Sequence, residues 1–502
     1  MNIKIEKDNK IPYYVQIAVS VEKQIMAGEM AEGSVLPSER VLAKLLGVHR
    51  NTVSKAYNEL KAEGIVASMQ GVGFVVSRGL PVKKVEMPDG EQIRTVKKPK
   101  KVNWASQIKD EYLDMEITFD DLFQRFSDKE KISMGSGISS TGIYDKNSIA
   151  RRISNIITEE GKSQYFYSPY KGDAFLRKQL VSFLSTKGIS ATAGQIQILT
   201  ETNQAIDFIV TLLVSPGDVV VMEEPVSPDA YRAMELGGAK IVGIPVDDQG
   251  MDIRMLESVV ETKKPKLIYV NSSFHDPTGC ILSLDRRKKL VEISNRFRVP
   301  IVEEDAASEL VYTGPKLPPV KSFDTEENVI YIYSFSLTFV PGLSLAFVVA
   351  NKDLIRSLSY LVSVRMMAID WMCQKLISGY LSDGTYYGLL DEFRRDYEKK
   401  QDFVCSMLDE MKDLGIEYTR PRGGVYIWCK LPKAIDSKEF IAKAYKEGLS
   451  LLPGYVFFPK KNGGRSHIRI NYSYESLERL AQGMKIFRKT LEKELQLPKA
   501  GR

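Results

Sequence analysis

Cysteine and histidine are scarce here, with four and three copies respectively in 502 residues. Cys280, Cys373, Cys405 and Cys429 are scattered and form no CxxC pair, which argues against a disulfide framework and for buried thiols. With only His49, His275 and His467 beside them, no metal site is expected. No run of eighteen or more uncharged apolar residues occurs, so no membrane-spanning helix and no membrane partner are expected. The opening MNIKIEKDNK is charged and has no apolar signal core, so a cytoplasmic location is expected. An excess of one charge is also missing. The formal net charge of +6 permits a nucleic-acid partner without requiring one.

A hydrophobic content of 43% over this length suits two or three globular domains. The texture of the chain changes twice. Residues 1–79 alternate short amphipathic helices with a glycine-marked hairpin. Residues 80–130 are polar, and the run Lys97, Lys98, Lys100 and Lys101 reads as a solvated linker. From residue 131, helical patterns alternate with the apolar runs DVVVMEEP, AKIVGIPV, KLIYVN, VPIVEED, NVIYIYSFS and SLAFVVA. That alternation predicts βαβ units and a mainly parallel sheet over 131–375, followed by a smaller α+β subdomain over 376–495.

In the first region, Ile17, Val21 and Ile25 form an apolar stripe on a helix that stops near Gly28. Ser38 is placed to cap a second helix, with Val41, Leu42 and Leu45 expected inside. After a turn at Gly47, a third helix buries Val53, Ala56, Tyr57 and Leu60 at i, i+3, i+4 and i+7. Its other face carries Arg50, Asn51, Ser54, Lys55, Asn58 and Lys61. Arginine grips guanine edges, asparagine adenine edges, and lysine phosphates, so this face suits a major groove. The stretch LPSERVLAKLLGVHRNTVSKAYNELKAEGIV, followed by GVGFVVS, resembles the winged helix-turn-helix of the GntR family. The resemblance implies that Arg40 and Arg50 meet DNA, that Thr52 and Lys55 lie at the backbone, and that Gly71 lets a wing tip approach the minor groove; Asn51, on the same polar face as Arg50, is a further candidate contact. His49 stands where that family usually has a small hydroxyl residue.

The later motifs YFYSPYKGDAFLRKQL, LTETNQAIDF, SPGDVVVMEEP, HDPTG, VEEDAASELVY, YSFSLTFVPGLSLAFVVA and HIRINYSY together resemble the fold-type I aminotransferases. The fusion resembles the MocR subfamily of regulators, which implies a head-to-tail homodimer on a DNA operator and pyridoxal phosphate (PLP) as the family cofactor. PLP chemistry needs an amine for the Schiff base, an acid at the pyridine nitrogen and cationic or amide donors at the phosphate. By that resemblance Leu337 stands at the Schiff-base lysine, Ser344 at a phosphate-binding arginine, Ser227 at a ring-stacking tyrosine, and Ala306 at an aromatic hydroxyl. Glu201 replaces a small residue of the phosphate loop, and Glu304 is the acid facing the ring nitrogen.

No catalytic residue and no bound cofactor are therefore expected. Arg469 matches the arginine that clamps a substrate carboxylate, and Asp276 lies beside the ring position. With Glu304 these are the candidate effector contacts, although Arg469 also fits a surface position or an ion pair with an acid such as Glu304. The expected protein is a regulator that senses a small carboxylate- or amino-acid-like effector. The alternatives are a regulator holding PLP noncovalently, an aminotransferase, and a purely structural dimerisation scaffold.

Overall fold

The computed structural model describes residues 3, 5, 11–26, 29–31, 33–69, 72–77, 102–108, 128, 130–140, 142–159, 167–343, 345–433, 435–459 and 463–496. The chain divides into two compact units, Met1–Met115 and Glu116–Arg502. Gly28, Gly71, Ser344 and the linker lysines Lys97, Lys98, Lys100 and Lys101 lie outside the described residues.

The first unit consists of α1 (Tyr13–Met26), α2 (Glu39–Leu46), α3 (Arg50–Ala62) and the antiparallel pair β1 (Val66–Met69) and β2 (Gly73–Val76). Ser38 caps α2 by accepting from the Val41 amide at 3.4 Å. Gly47, at φ 66°, closes that helix in the left-handed region where glycine is unstrained. His49 is the N-cap of α3, its Nδ1 accepting from the Asn51 amide at 3.3 Å. Ile17, Val21, Leu42, Val53, Ala56, Tyr57 and Leu60 form the core. Val41 and Leu45, expected inside, are instead 58% and 69% exposed. The buried set on the two-turn α2 is Leu42 and Ala43, with Leu46 packed against the core, so its inward stripe is rotated by about one residue.

The second unit opens with β3 (Ile132–Ser133), α4 (Lys146–Glu159), α5 (Ala174–Ser185), β4 (Ile196–Leu199) and α6 (Thr202–Leu213). It continues through β5 (Val219–Glu224), α7 (Pro228–Leu236), β6 (Lys240–Asp247), β7 (Gly250–Met251), α8 (Ile253–Lys263) and β8 (Leu267–Asn271). Then follow α9 (Leu284–Phe297), β9 (Ile301–Asp305), β10 (Val329–Ser334), β11 (Ala346–Val349), α10 (Lys352–Arg365), α11 (Trp371–Ser382) and α12 (Thr385–Asp409). Eight strands form one sheet in the order β4-β11-β10-β9-β8-β5-β6-β7. The run from β10 to β6 is parallel, while β11 lies antiparallel between β4 and β10. Helices cover both faces, which is why the strands read as unbroken apolar runs. Met222, Tyr269 and Tyr331 pack on one face, and Val221, Ile268 and Ile301 on the other.

The smaller subdomain contains β12 (Glu417–Tyr418), β13 (Tyr426–Lys430), α13 (Ser437–Lys446), β14 (Leu449–Ser450), β15 (Leu452–Pro453), β16 (His467–Asn471) and α14 (Leu477–Gln496). Its antiparallel sheet has the order β12-β13-β16-β15. The chain enters this subdomain early, because β3 pairs in parallel with β14 before the large sheet begins. Among the described residues, no helix is long and apolar enough to cross a membrane, and no cluster of metal-ligating side chains occurs.

Candidate functional site

Two surfaces carry chemistry, one in each unit. On the first unit, α3 turns Arg50, Asn51, Lys55 and Asn58 outward, with Thr52 half-buried and Arg40 exposed on α2. Arg50 is already oriented: its Nε and Nη2 donate to Glu39 Oε2 at 2.9 and 2.7 Å. That guanidinium holds the Glu39 carboxyl below its usual range. Lys55 places its ammonium 4.1 Å from the centre of the Tyr14 ring. Both cations are thus held by neighbours inside the same unit, Arg50 at the first position of a helix whose dipole adds positive potential there and Lys55 in its second turn.

On the second unit, side chains collect at the carboxyl ends of the parallel strands, where open α/β sheets form their crevice. Register places Asn271 of β8 beside Glu304 of β9, so Tyr269, Asn271 and Glu304 share one face. The Tyr269 hydroxyl donates to Glu304 Oε2. Burial pushes the Glu304 carboxyl up to about 7, with the charges of Asp276 and Asp229 adding to the effect against the tyrosine hydrogen bond. Asp229, in the first turn of α7, is likewise raised by burial and by Asp276. Behind this face, burial holds His275 neutral at about 3 and lifts Glu223 to about 8.

Arg469 reaches the cleft from β16. Its Nη1 donates to both oxygens of Asp276 at 2.7 and 2.8 Å, its Nη2 donates to the Gly135 carbonyl at 2.8 Å, and its guanidinium lies 4.2 Å from the Tyr426 ring centre. Burial alone would disfavour the charge, but Asp276 outweighs it and raises the Arg469 pKa. The partner of Arg469 is therefore Asp276, not Glu304. Leu337 is buried at 5% exposure, in an apolar cluster with Phe393, Tyr397 and Val425. Glu201 occupies the N-cap position of α6 without making a capping bond, and Ser227 does the same before α7. Ala306 follows β9 and is half-buried.

Asp276, Glu304 and Arg469 thus lie close together, Arg469 bonded to Asp276 and Asp276 acting on Glu304 through its charge. Asp229, Tyr269 and Tyr426 were missed. The Tyr269–Asn271 alternation in KLIYVN was the available signal for one of them.

Sheet order, crevice position and the inward arginine define a fold-type I aminotransferase-like domain attached to a helix-turn-helix reader. Residues 129–484 match the family "Aminotransferase class I and II", and residues 13–76 match "Bacterial regulatory proteins, gntR family". The chain belongs to the aminotransferase class I and II family, in its fusion with a gntR-family DNA-binding domain. It is 27% identical to the uncharacterized HTH-type transcriptional regulator YdfD of Bacillus subtilis (strain 168), over 95% of this chain and 96% of that one. It is 24% identical to the probable rhizopine catabolism regulatory protein MocR of Rhizobium meliloti, over 89% and 88% of the two chains. Among solved structures, the α-aminoadipate aminotransferase LysN of Thermus thermophilus matches with a TM-score of 0.73 and 27% identity, covering 79% of this chain and all of that one. The class is that of MocR-like transcription regulators, and PLP is the cofactor its aminotransferase fold implies.

Two outcomes follow from the cleft's electrostatics. Arg469→Ala leaves Asp276 without its counter-charge among other acids, and should lower the unfolding free energy by about 3 kcal/mol in urea titrations. An unchanged midpoint would contradict the pairing. Glu304 is raised in the folded state, so the native form holds its proton above the ordinary carboxylate range. Its contribution to stability is complete at low pH and is lost as pH rises through about 7. Denaturant titrations should therefore show that Glu304→Gln loses less stability than the parent between pH 5 and pH 8.

Proposed function

We propose that this chain is a DNA-binding transcription regulator whose aminotransferase-like domain dimerises and senses a small amino-acid- or carboxylate-like effector without running PLP chemistry. The observation that carries this reading is Leu337, an apolar side chain buried where the family resemblance places the Schiff-base amine. A leucine has no nitrogen with which to form an imine. The remaining residues fit PLP no better. Ala306 supplies no hydroxyl, Ser227 supplies no ring to stack, and the Glu201 carboxylate repels a phosphate dianion. Nor does the buried Lys187 offer a substitute amine. Its Nζ lies 2.7 Å from Glu309 and 3.3 Å from Asp305. Burial opposes its charge, but the two carboxylates outweigh that and raise its pKa. The loss of the PLP site is part of the proposal.

An effector in this cleft meets Arg469 already bound to Asp276. A ligand carboxylate must share or displace Asp276 to reach the guanidinium, while Glu304 and Asp229 favour an amine end. Dimerisation is supported by Tyr360 and Val364, which are 72% and 65% exposed one turn apart on α10, with Met367, 69% exposed, just beyond the end of that helix. Large apolar groups left in water at adjacent helical positions suit a second copy of the chain. A two-fold dimer, head-to-tail as the family resemblance implies, presents its readers to paired half-sites in an operator. There, Arg40, Arg50, Asn51, Thr52, Lys55 and Gly71 are the proposed contacts. A ligand acts by favouring one arrangement of the dimer over another.

Arg50→Ala should weaken operator binding by about 1–3 kcal/mol and relax base preference at one position, read by fluorescence anisotropy across a set of operator variants. Uniform, unchanged affinities would remove α3 from the groove. Leu337→Lys supplied with PLP, an amino acid and a keto acid should give no transamination, because the phosphate, stacking and hydroxyl contacts are absent as well. A fully active single variant would contradict the proposed loss of the cofactor site.

A further inference from the structure

On the outer side of the loop that carries Asp276, a crevice of about 560 Å³ opens between the two subdomains of the second unit. Its size is within the range of small-molecule sites, about 300–1,000 Å³. It is lined by the end of β6 and the turn to β7, with Asp247 and Asp248, by the segment before β13, with Arg420 and Arg422, and by Trp428 of β13 itself.

Charge on these walls is only partly cancelled from within. Asp247 is bound by Arg286 at 2.7 Å, and Arg420 is bound by Asp402. Asp248 has no ion pair among the described residues. Arg422 touches only the carbonyls of Thr313 and Pro315, each at 3.3 Å. Its own carbonyl is fixed by the amides of Tyr312 and Thr313, at 3.0 and 3.1 Å, so the residue is anchored while its charge is unbalanced. Asp248 and Arg422 thus line the crevice as exposed charges without an ion pair among the described residues, Asp248 acting on Arg286 through its charge alone. Between them lie Trp428, Val246, Ile281 and Leu317. The Trp428 ring is held in place by stacking on His467, at 5.1 Å between centres and 11° between planes.

We propose that this crevice is a second ligand site, separate from the cleft, that takes a free α-amino acid with an apolar or aromatic side chain. The ammonium meets Asp248, the carboxylate meets Arg422, and the side chain lies against Trp428. Two anchors of opposite charge favour a zwitterion, because a ligand with a single charge gains only one of the two contacts. The walls belong to different subdomains, so a bound ligand favours their closed arrangement. The floor is already tight. Gly279 has φ +69°, and an added Cβ would lie 3.0 Å from the Tyr426 carbonyl and 3.1 Å from Pro421 Cγ. The same loop carries Asp276, so closure over the crevice bears directly on the Asp276–Arg469 pair.

The test titrates the full-length chain with L-phenylalanine by calorimetry and thermal shift, alongside N-acetyl-L-phenylalanine and L-phenylalaninamide, which lack the cationic and the anionic end respectively. The zwitterion should bind, each blocked form should bind at least about tenfold more weakly, and D248N and R422Q should each weaken the zwitterion by a similar factor. E304Q, which alters the cleft, should leave that affinity within about twofold. Equal binding by the parent, D248N and R422Q would overturn the proposal. Binding lost in E304Q alone would place the amino acid in the cleft and overturn it too. So would no binding of L-phenylalanine up to about 10 mM. Neither loss of DNA binding nor retained PLP chemistry would produce this pattern, so the crevice and the regulator reading fail separately.

Discussion

The ion pair between Arg469 and Asp276 is the interaction on which the cleft depends. One guanidinium nitrogen, Nη1, donates to both carboxylate oxygens at 2.7 and 2.8 Å, while Nη2 is held by the Gly135 carbonyl at 2.8 Å, so the charge-assisted contact is short and its donor is fixed from both sides. The pair links β16 of the small subdomain to the loop after β8 of the large one. It also neutralises the cleft's inward arginine. Whatever enters meets a guanidinium that already has a partner, beside carboxyl groups that burial has made reluctant to ionise.

That reluctance has a common cause. Glu304 and Asp229 are crowded with Asp276 at the ends of parallel strands, where little water is present to spread their charge. Tyr269 donates to Glu304, which moderates the shift without cancelling it. Elsewhere in the fold, buried charge is balanced locally: Lys187 sits between Asp305 and Glu309 with no exposure of its side chain. In the cleft, Asp229 feels the charges of Arg469 and Arg232, but burial and Asp276 outweigh them. Such an arrangement suits the binding role proposed for this cleft.

Much of this was legible in the sequence, because periodicity reports which face is buried. The 3.6-residue pattern of α3 names its core side chains, and the apolar runs name the parallel strands. The motif around Leu337 is what lets the family resemblance set that leucine at the Schiff-base position. Legibility stopped where tertiary geometry decides between neighbours. On α2, a helix of eight residues, Val41 and Leu42 are equally apolar, and only packing against α3 determines which one turns inward. The partner of Arg469 lies 193 residues away and is selected by how two subdomains meet, which no local pattern encodes. For the same reason the pairing of β3 with β14 could not be read from two-residue strands. Nor could sequence separate the unbalanced Asp248 and Arg422 from Asp247 and Arg420 close by, which are engaged.

The reader and the large domain are thus joined in one chain with different tasks, one built on an exposed helix face and the other on a crevice whose ancestral chemistry requires an amine. The most direct measurement of that division is to incubate the full-length protein with excess PLP, reduce with borohydride and determine the intact mass. The account predicts the unmodified chain mass, with no stoichiometric phosphopyridoxyl adduct. One adduct per chain, mapped to a lysine within the cleft, would contradict it.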